Sequence, residues 1–175
     1  KFGIPVSVES TRLYEDRFLE DFKGYAPART VPCARIETGG IVSDSLALAE
    51  TLAENYPDLG YWPTDPTDRA LARSMAAEMH SAYMALRSAH PMNLRNCFED
   101  VIVTDAVKAD LSRIEYLWTL ARENRSGPWL FGDYSAVDAM FAPAATRMAT
   151  YKLPVGDVAR AYIETTISDP KFLEW

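Results

Sequence analysis

Cysteine and histidine are scarce, with two of each in 175 residues. Cys33 and Cys97 fit no metal-ligand or redox spacing, and His80 and His90 are too few to complete a zinc set. Neither a structural metal site nor a disulfide scaffold is expected. Long apolar runs are missing too. Nothing approaches the roughly 18 to 20 consecutive apolar residues of a membrane-crossing helix, and the first residues lack the charged, apolar, small order of a secretion signal. The chain therefore reads as soluble, with the cytoplasm as its expected compartment. Basic clusters are absent as well: 25 acids against 18 bases give a formal charge of −7 spread along the chain, so neither a nucleic acid nor a membrane is an expected partner. What the sequence does have is 48% apolar and 11% aromatic residues, enough for a packed core in one domain or two small ones.

The first third reads as a mixture of strands and helices. Gly3-Ile4-Pro5 looks like the end of a helix, and Val6 and Val8 alternate with Ser7 and Glu9 as a short strand would. Leu13, Phe18, Leu19 and Phe22 form a modest helical stripe over Leu13 to Phe22, ended by Gly24. Pro27 and Pro32 exclude a helix between them. Cys33 to Glu37 predicts a strand, Thr38-Gly39-Gly40 a tight turn, and Ile41-Val42 a second strand. Leu46, Leu48, Ala49 and Leu52 then recur at helical spacing from Ser45 to about Asn55.

Pro57, Gly60, Pro63 and Pro66 mark a linker, after which everything reads helical. Thr64 or Asp65 caps a helix with Pro66 in its first turn, running to about Ala89, with Leu71, Met75, Met79, Ala82 and Leu86 on one face. A second helix, about Asp105 to Glu123, buries Val107, Leu111, Ile114, Trp118 and Ala121. A third follows Ser135, a fourth spans about Gly156 to Ile167, and a terminal turn occupies "DPKFLEW".

Three local patterns bear on chemistry. Ser43, Asp44 and Ser45 precede a helix that needs one capping residue, so the surplus is open to two readings. They are capping residues only, or the helix start, a hydroxyl and a carboxylate together hold a charged ligand. Thr30-Val31-Pro32 stands just before a strand; Pro32 is either an ordinary strand-opening proline or a cis proline exposing the backbone of Val31. Ser135 with Asp138 is a capping pair whose expected role is structural.

Taken together, "TVP", the turn into "SDSLALAE", the Pro-rich linker, the helical remainder and "SxxD" after "GPWLFGDY" resemble the cytosolic glutathione S-transferases, their bacterial members most. The resemblance covers nearly the whole chain, with each motif in order. It implies an α/β thioredoxin-like domain that binds glutathione (1–56), a linker (57–65) and an all-helical C-terminal domain (66–175) that completes the pocket for a second substrate. It also implies that the family's first strand and most of its first helix precede Lys1, as roughly 15 to 20 residues. The family's catalytic Tyr, Ser or Cys belongs to that piece, so no residue here inherits the catalytic role.

By the same resemblance, Pro32 is the family's cis proline and Val31 the residue whose backbone pairs with glutathione. Asp44 and Ser45 are the acid–Ser pair on its γ-glutamyl ammonium and carboxylate. The family's usual Asn-Pro and basic or amide residue before "VP" are replaced by Ala26-Pro27 and Thr30, which leaves the contacts to the glycyl end open. Ala77, His80, Met84 and Arg87 share a face of the first long helix and are the candidates for a hydrophobic electrophile pocket, a dimer contact or plain solvent. Cys33 reads as a small core residue. The implied activity is transfer of the glutathione thiolate to a small hydrophobic electrophile, with glutathione as co-substrate, no metal, a homodimer and a role in detoxification. A glutathione-dependent isomerase, a dehalogenase, a lyase or a non-catalytic ligand-binding member are the alternatives.

Overall fold

A computed structural model describes residues 1–13, 15 and 17–174, without the side chain of Leu19. Two positions of the expected first helix, Tyr14 and Asp16, the Leu19 side chain of its stripe, and the terminal Trp175 therefore lie outside the described residues. The chain divides into two compact units, Lys1–Tyr61 and Trp62–Trp175. The division falls inside the Pro-rich stretch 57–65, where Tyr61 and Trp62 are both buried.

The first unit is built on a β-hairpin. Strands β1 (Cys33–Arg35) and β2 (Ile41–Ser43) pair antiparallel, with Cys33 opposite Ser43 and Arg35 opposite Ile41. The turn closes where the Gly pair suggests: Ile36 N–H donates to Gly40 C=O at 2.9 Å, and Gly39 takes φ +87°, a conformation open to glycine at little cost. Helix α2 (Ser45–Asn55) follows directly. Two expectations fail in this unit. Val6 and Val8 form no strand; they are 74% and 79% exposed, and no third strand joins the hairpin among the described residues. Alternation makes a strand only where a neighbouring ladder takes up its N–H and C=O groups. Among the described residues, the helix expected over Leu13 to Phe22 is α1 (Phe18–Asp21) followed by a 3-10 turn over Phe22–Tyr25, with Phe22 buried and Leu13 49% exposed.

The second unit is a bundle of α3 (Pro66–Ser81), α4 (Met84–Ala89), α5 (Asp105–Arg122), α6 (Ala136–Thr150) and α7 (Asp157–Ile167), closed by the short α8 (Pro170–Leu173). The α5 stripe is buried as its spacing requires, from Val107 through Leu111, Ile114 and Trp118 to Ala121. Edge-on contacts of Trp118 with Phe141 and Tyr162, ring centroids 5.7 and 4.6 Å apart, join α5 to α6 and α7.

The helix expected to run unbroken to about Ala89 is interrupted. Ala82 is extended and Tyr83 adopts φ +60°, so α3 ends and α4 begins afresh. The break has tertiary causes. Tyr83 turns inward to 4% exposure and its hydroxyl donates to Glu78 Oε1 at 2.7 Å, while the Leu86 N–H at the new helix start donates to Asp110 of α5 at 2.9 Å. Asp65, one of the two expected caps, accepts from the N–H groups of Thr67 and Asp68.

Candidate functional site

The surplus of polar residues ahead of α2 resolves into three different jobs. Ser43 is the last residue of β2, Asp44 is the cap, and Ser45 is the first helical residue. Asp44 Oδ1 accepts the N–H groups of Leu46 and Ala47 at 2.8 and 3.2 Å. Its backbone sits at φ +85°, ψ +135°, a strained setting for a residue with a side chain and one that recurs at ligand clamps. Leu46 and Ala47 being satisfied, Ser45 is left with an uncommitted N–H and hydroxyl among the described residues. That is an arrangement suited to a carboxylate at the positive end of the helix.

The Val31–Pro32 peptide is cis, and so is Ala26–Pro27. Asp44 N–H donates to Pro32 C=O at 3.2 Å, which ties the start of α2 to the segment entering β1. Val31 is 45% exposed, and neither its N–H nor its C=O is hydrogen-bonded among the described residues. The structure thus brings Val31, Pro32, Asp44 and Ser45 together, with an open peptide on one side and a helix start on the other. An extended peptide-like molecule paired with Val31 would gain the two hydrogen bonds of an added strand.

Val31, Pro32 and Cys33 also form part of the wall of a cleft of about 1190 Å3, shared with residues 5–12, Tyr25 and Arg35. Asp44 and Ser45 lie outside that wall, so the candidate site runs from the Val31–Pro32 side of the cleft to the start of α2. Within the cleft the Tyr25 hydroxyl donates to Glu9 at 3.1 Å, and that carboxylate raises the phenol above its ordinary range. Tyr25 is therefore the opposite of an activated hydroxyl. Cys33, expected as a small core residue, is instead half-buried, a free thiol in the cleft wall.

In the helical unit, Ala77 and His80 lie in the last turns of α3 while Met84 and Arg87 lie on α4, so the four residues expected on one helix face are divided by the break at Tyr83. Ala77, His80 and Met84 are exposed and Arg87 is half-buried, its Nη1 donating to His80 C=O at 3.3 Å. Asp138 is fully committed. Its Oδ1 accepts from Leu130 N–H and Tyr162 OH, both at 3.1 Å, and its Oδ2 from Ser135 N–H at 2.9 Å and the Ser135 hydroxyl at 3.3 Å. Burial pushes its carboxyl up to about 6 against the pull of these four donors. Among the described residues no group of three or more His, Cys, Asp and Glu could hold a metal ion, and no helix is long and apolar enough to cross a membrane.

No family model matches the chain. A probable maleylacetoacetate isomerase from Caenorhabditis elegans is 34% identical over 94 residues, 54% of this chain and 44% of that protein, so the chain spans under half of that relative's length. A glutathione transferase homologue from Burkholderia, solved with bound glutathione, superimposes with a TM-score of 0.61 at 25% identity, covering 83% of this chain and 71% of that one. The fold is that of the glutathione transferases. Glutathione transferase Omega 3C from Trametes versicolor shares it, with a TM-score of 0.62 at 19% identity over 88% of this chain and 70% of its own. The resemblance read from "TVP", "SDSLALAE" and the helical remainder is borne out at the level of this glutathione transferase fold, an α/β unit followed by a helical one.

Proposed function

We propose that the chain binds glutathione along the Val31–Ser45 edge and transfers its thiolate to a small hydrophobic electrophile. One observation carries the reading: an unpaired Val31 peptide is stitched, through Asp44 N–H to Pro32 C=O, to a strained helix start whose Ser45 hydroxyl and N–H are uncommitted. On this reading Val31 pairs as a strand with the cysteinyl part. Ser45 takes the γ-glutamyl carboxylate at the positive end of α2, and Asp44 takes the ammonium. The bound glutathione of the Burkholderia homologue supports the ligand. The same reading has a two-fold homodimer working in the cytoplasm, and His80, Met84 and Arg87 facing the second substrate.

The likeness to a probable maleylacetoacetate isomerase favours a second reading, glutathione-dependent cis–trans isomerisation on the same scaffold. Turnover of an aromatic halide against turnover of a cis-dienoic acid separates the two. Binding is tested by calorimetry on Ser45→Ala. Loss of a charge-assisted hydrogen bond of about 1.5 to 3 kcal/mol should weaken glutathione roughly tenfold or more, and an unchanged affinity would refute the assignment.

A further inference from the structure

Residues 90–104, between α4 and α5, form no helix or strand. The first part of this strap is nevertheless fastened to the end of α6. The Thr150 hydroxyl donates to Asn93 C=O and the Tyr151 hydroxyl to Pro91 C=O, both at 2.8 Å. In return Phe98 N–H donates to Thr150 C=O at 2.8 Å, and the Phe98 ring stacks on that of Tyr151 with centroids 4.9 Å apart. Glu99 pairs with Lys152. Asn93 folds the strap on itself, its Oδ1 accepting from Arg95 and Asn96 N–H at 2.9 and 3.0 Å.

His90 stands at the root of the strap and has no part in the proposed glutathione chemistry. It is 2% exposed, its ring meets the Tyr151 ring edge-on at 4.9 Å, and Arg147 Nε donates to its carbonyl at 3.0 Å. The Tyr151 ring therefore touches both His90 and Phe98. The imidazole Nδ1 is buried without a hydrogen-bond partner. Among the charged groups on the elements that meet here, Arg87 of α4 donates to His80 C=O and Asp110 of α5 accepts from Leu86 N–H. Arg147 of α6 is taken up by the His90 and Pro143 carbonyls, and Glu99 by Lys152. None of these is bonded to the imidazole. A neutral ring suits that position, because it can turn a bare nitrogen to the buried side. A protonated ring does not: its second N–H would be buried without an acceptor, beside a carbonyl already held by a cation. Burial accordingly holds His90 below the usual histidine range.

We propose that His90 is a pH-sensitive latch, whose protonation releases residues 91–99 from the end of α6 while the core of the bundle stays folded. Released, the imidazolium reaches water and Phe98 parts from Tyr151. The latch belongs to the helical unit and does not rest on the glutathione reading. Because the latched ring titrates below the ordinary 6.5, the closed strap is fully favoured above about pH 6.5 and is lost as pH falls through the lowered value. Amide hydrogen exchange on the full chain from about pH 8 to about pH 5, corrected for the intrinsic pH dependence of exchange, tests this. The opening constant at Asn96 and Phe98 N–H should rise by up to about tenfold per pH unit below about 6.5, while Ile114, at the centre of α5, keeps its protection. In His90→Phe, which keeps a buried ring that takes up no proton, the strap should stay closed throughout. Should His90→Phe fail to fold, His90→Leu serves, with the same expectation. Strap protection independent of pH in the native chain would overturn the proposal. So would the same acid opening in the variant, or loss of protection at Ile114 together with the strap.

Discussion

The two units of this chain are stabilised very differently. Of the buried apolar side chains among the described residues, only Phe22, Ala28 and Tyr61 belong to Lys1–Tyr61, and α2 buries no residue fully. Trp62–Trp175 holds all the rest, including Trp118, Tyr162, Phe141 and Met75 at 1% exposure or less. The unit proposed to grip glutathione thus relies on a hairpin, a capped helix and one backbone hydrogen bond from Asp44 to Pro32. The helical unit has a dense core with a buried carboxylate at its centre. Its substitutions should therefore act on stability, and those around Val31 and Ser45 on binding.

The sharpest way to break that division is Asp138→Ala. The Leu130 and Ser135 N–H groups and the Tyr162 hydroxyl would all be left buried without an acceptor. At 1 to 3 kcal/mol for each orphaned donor, a loss of about 4 kcal/mol is expected in urea unfolding at pH 5. Glutathione affinity of the folded fraction should be unchanged. A binding defect as large as the stability defect would show that the two units are not independent in this respect.

The pH dependence of the same group comes next. An Asp carboxyl titrates near 3.9 in an unfolded chain, and Asp138 does so at about 6 when folded. Its folded value is raised, so its contribution is fully present below about pH 4 and is lost as pH rises through about 6. The loss is about 3 kcal/mol. Stability measured from pH 4 to 7 on the native chain and on Asp138→Asn should diverge by that amount, with the fall confined to the native chain. A common slope would assign the titration elsewhere.

A smaller effect is expected at Gly127→Ala. Gly127 has φ +108°, and an added Cβ would lie 2.5 Å from Gly132 C=O, so backbone must move. About 2 kcal/mol of stability should be lost, as read by thermal unfolding, and no loss would mean the "SGPWLFGD" turn opens freely. The smallest effect belongs to Val31→Ala. If recognition runs through the Val31 backbone, trimming its side chain should alter glutathione binding by less than about 1 kcal/mol. A larger loss would make the side chain, and not the peptide, the contact.

Much of the helical unit was legible because its signals are local. The stripe from Val107 to Ala121 repeats every three or four residues, Asp65 stands just before Pro66 in a first helical turn, and Ser135 stands just before an apolar run. The Gly39-Gly40 turn was legible for the same reason. The interruption at Ala82–Tyr83 was not, since no Gly or Pro marks it and its causes, Asp110 on Leu86 N–H and Glu78 on the Tyr83 hydroxyl, come from other turns and helices. Val6 and Val8 show the opposite error: a correct period with no ladder to complete it.

For the candidate site, Asp44 and Ser45 drew attention by being one polar residue too many, and Val31 by its place before Pro32. Which of them caps was decided only by the chain path, at φ +85°.

The sequence by itself determined where α2, α5, α6 and α7 lie, which face of α5 is buried, where the hairpin turns and which short motifs resemble a glutathione transferase. These follow from periodicity and from turn and capping chemistry, which act over a few residues. Tertiary structure alone decided that α3 and α4 are separate, that Asp138 lies buried among four donors and that Arg147 reaches across to the His90 carbonyl. Burial and charge pairing depend on groups that only folding brings together.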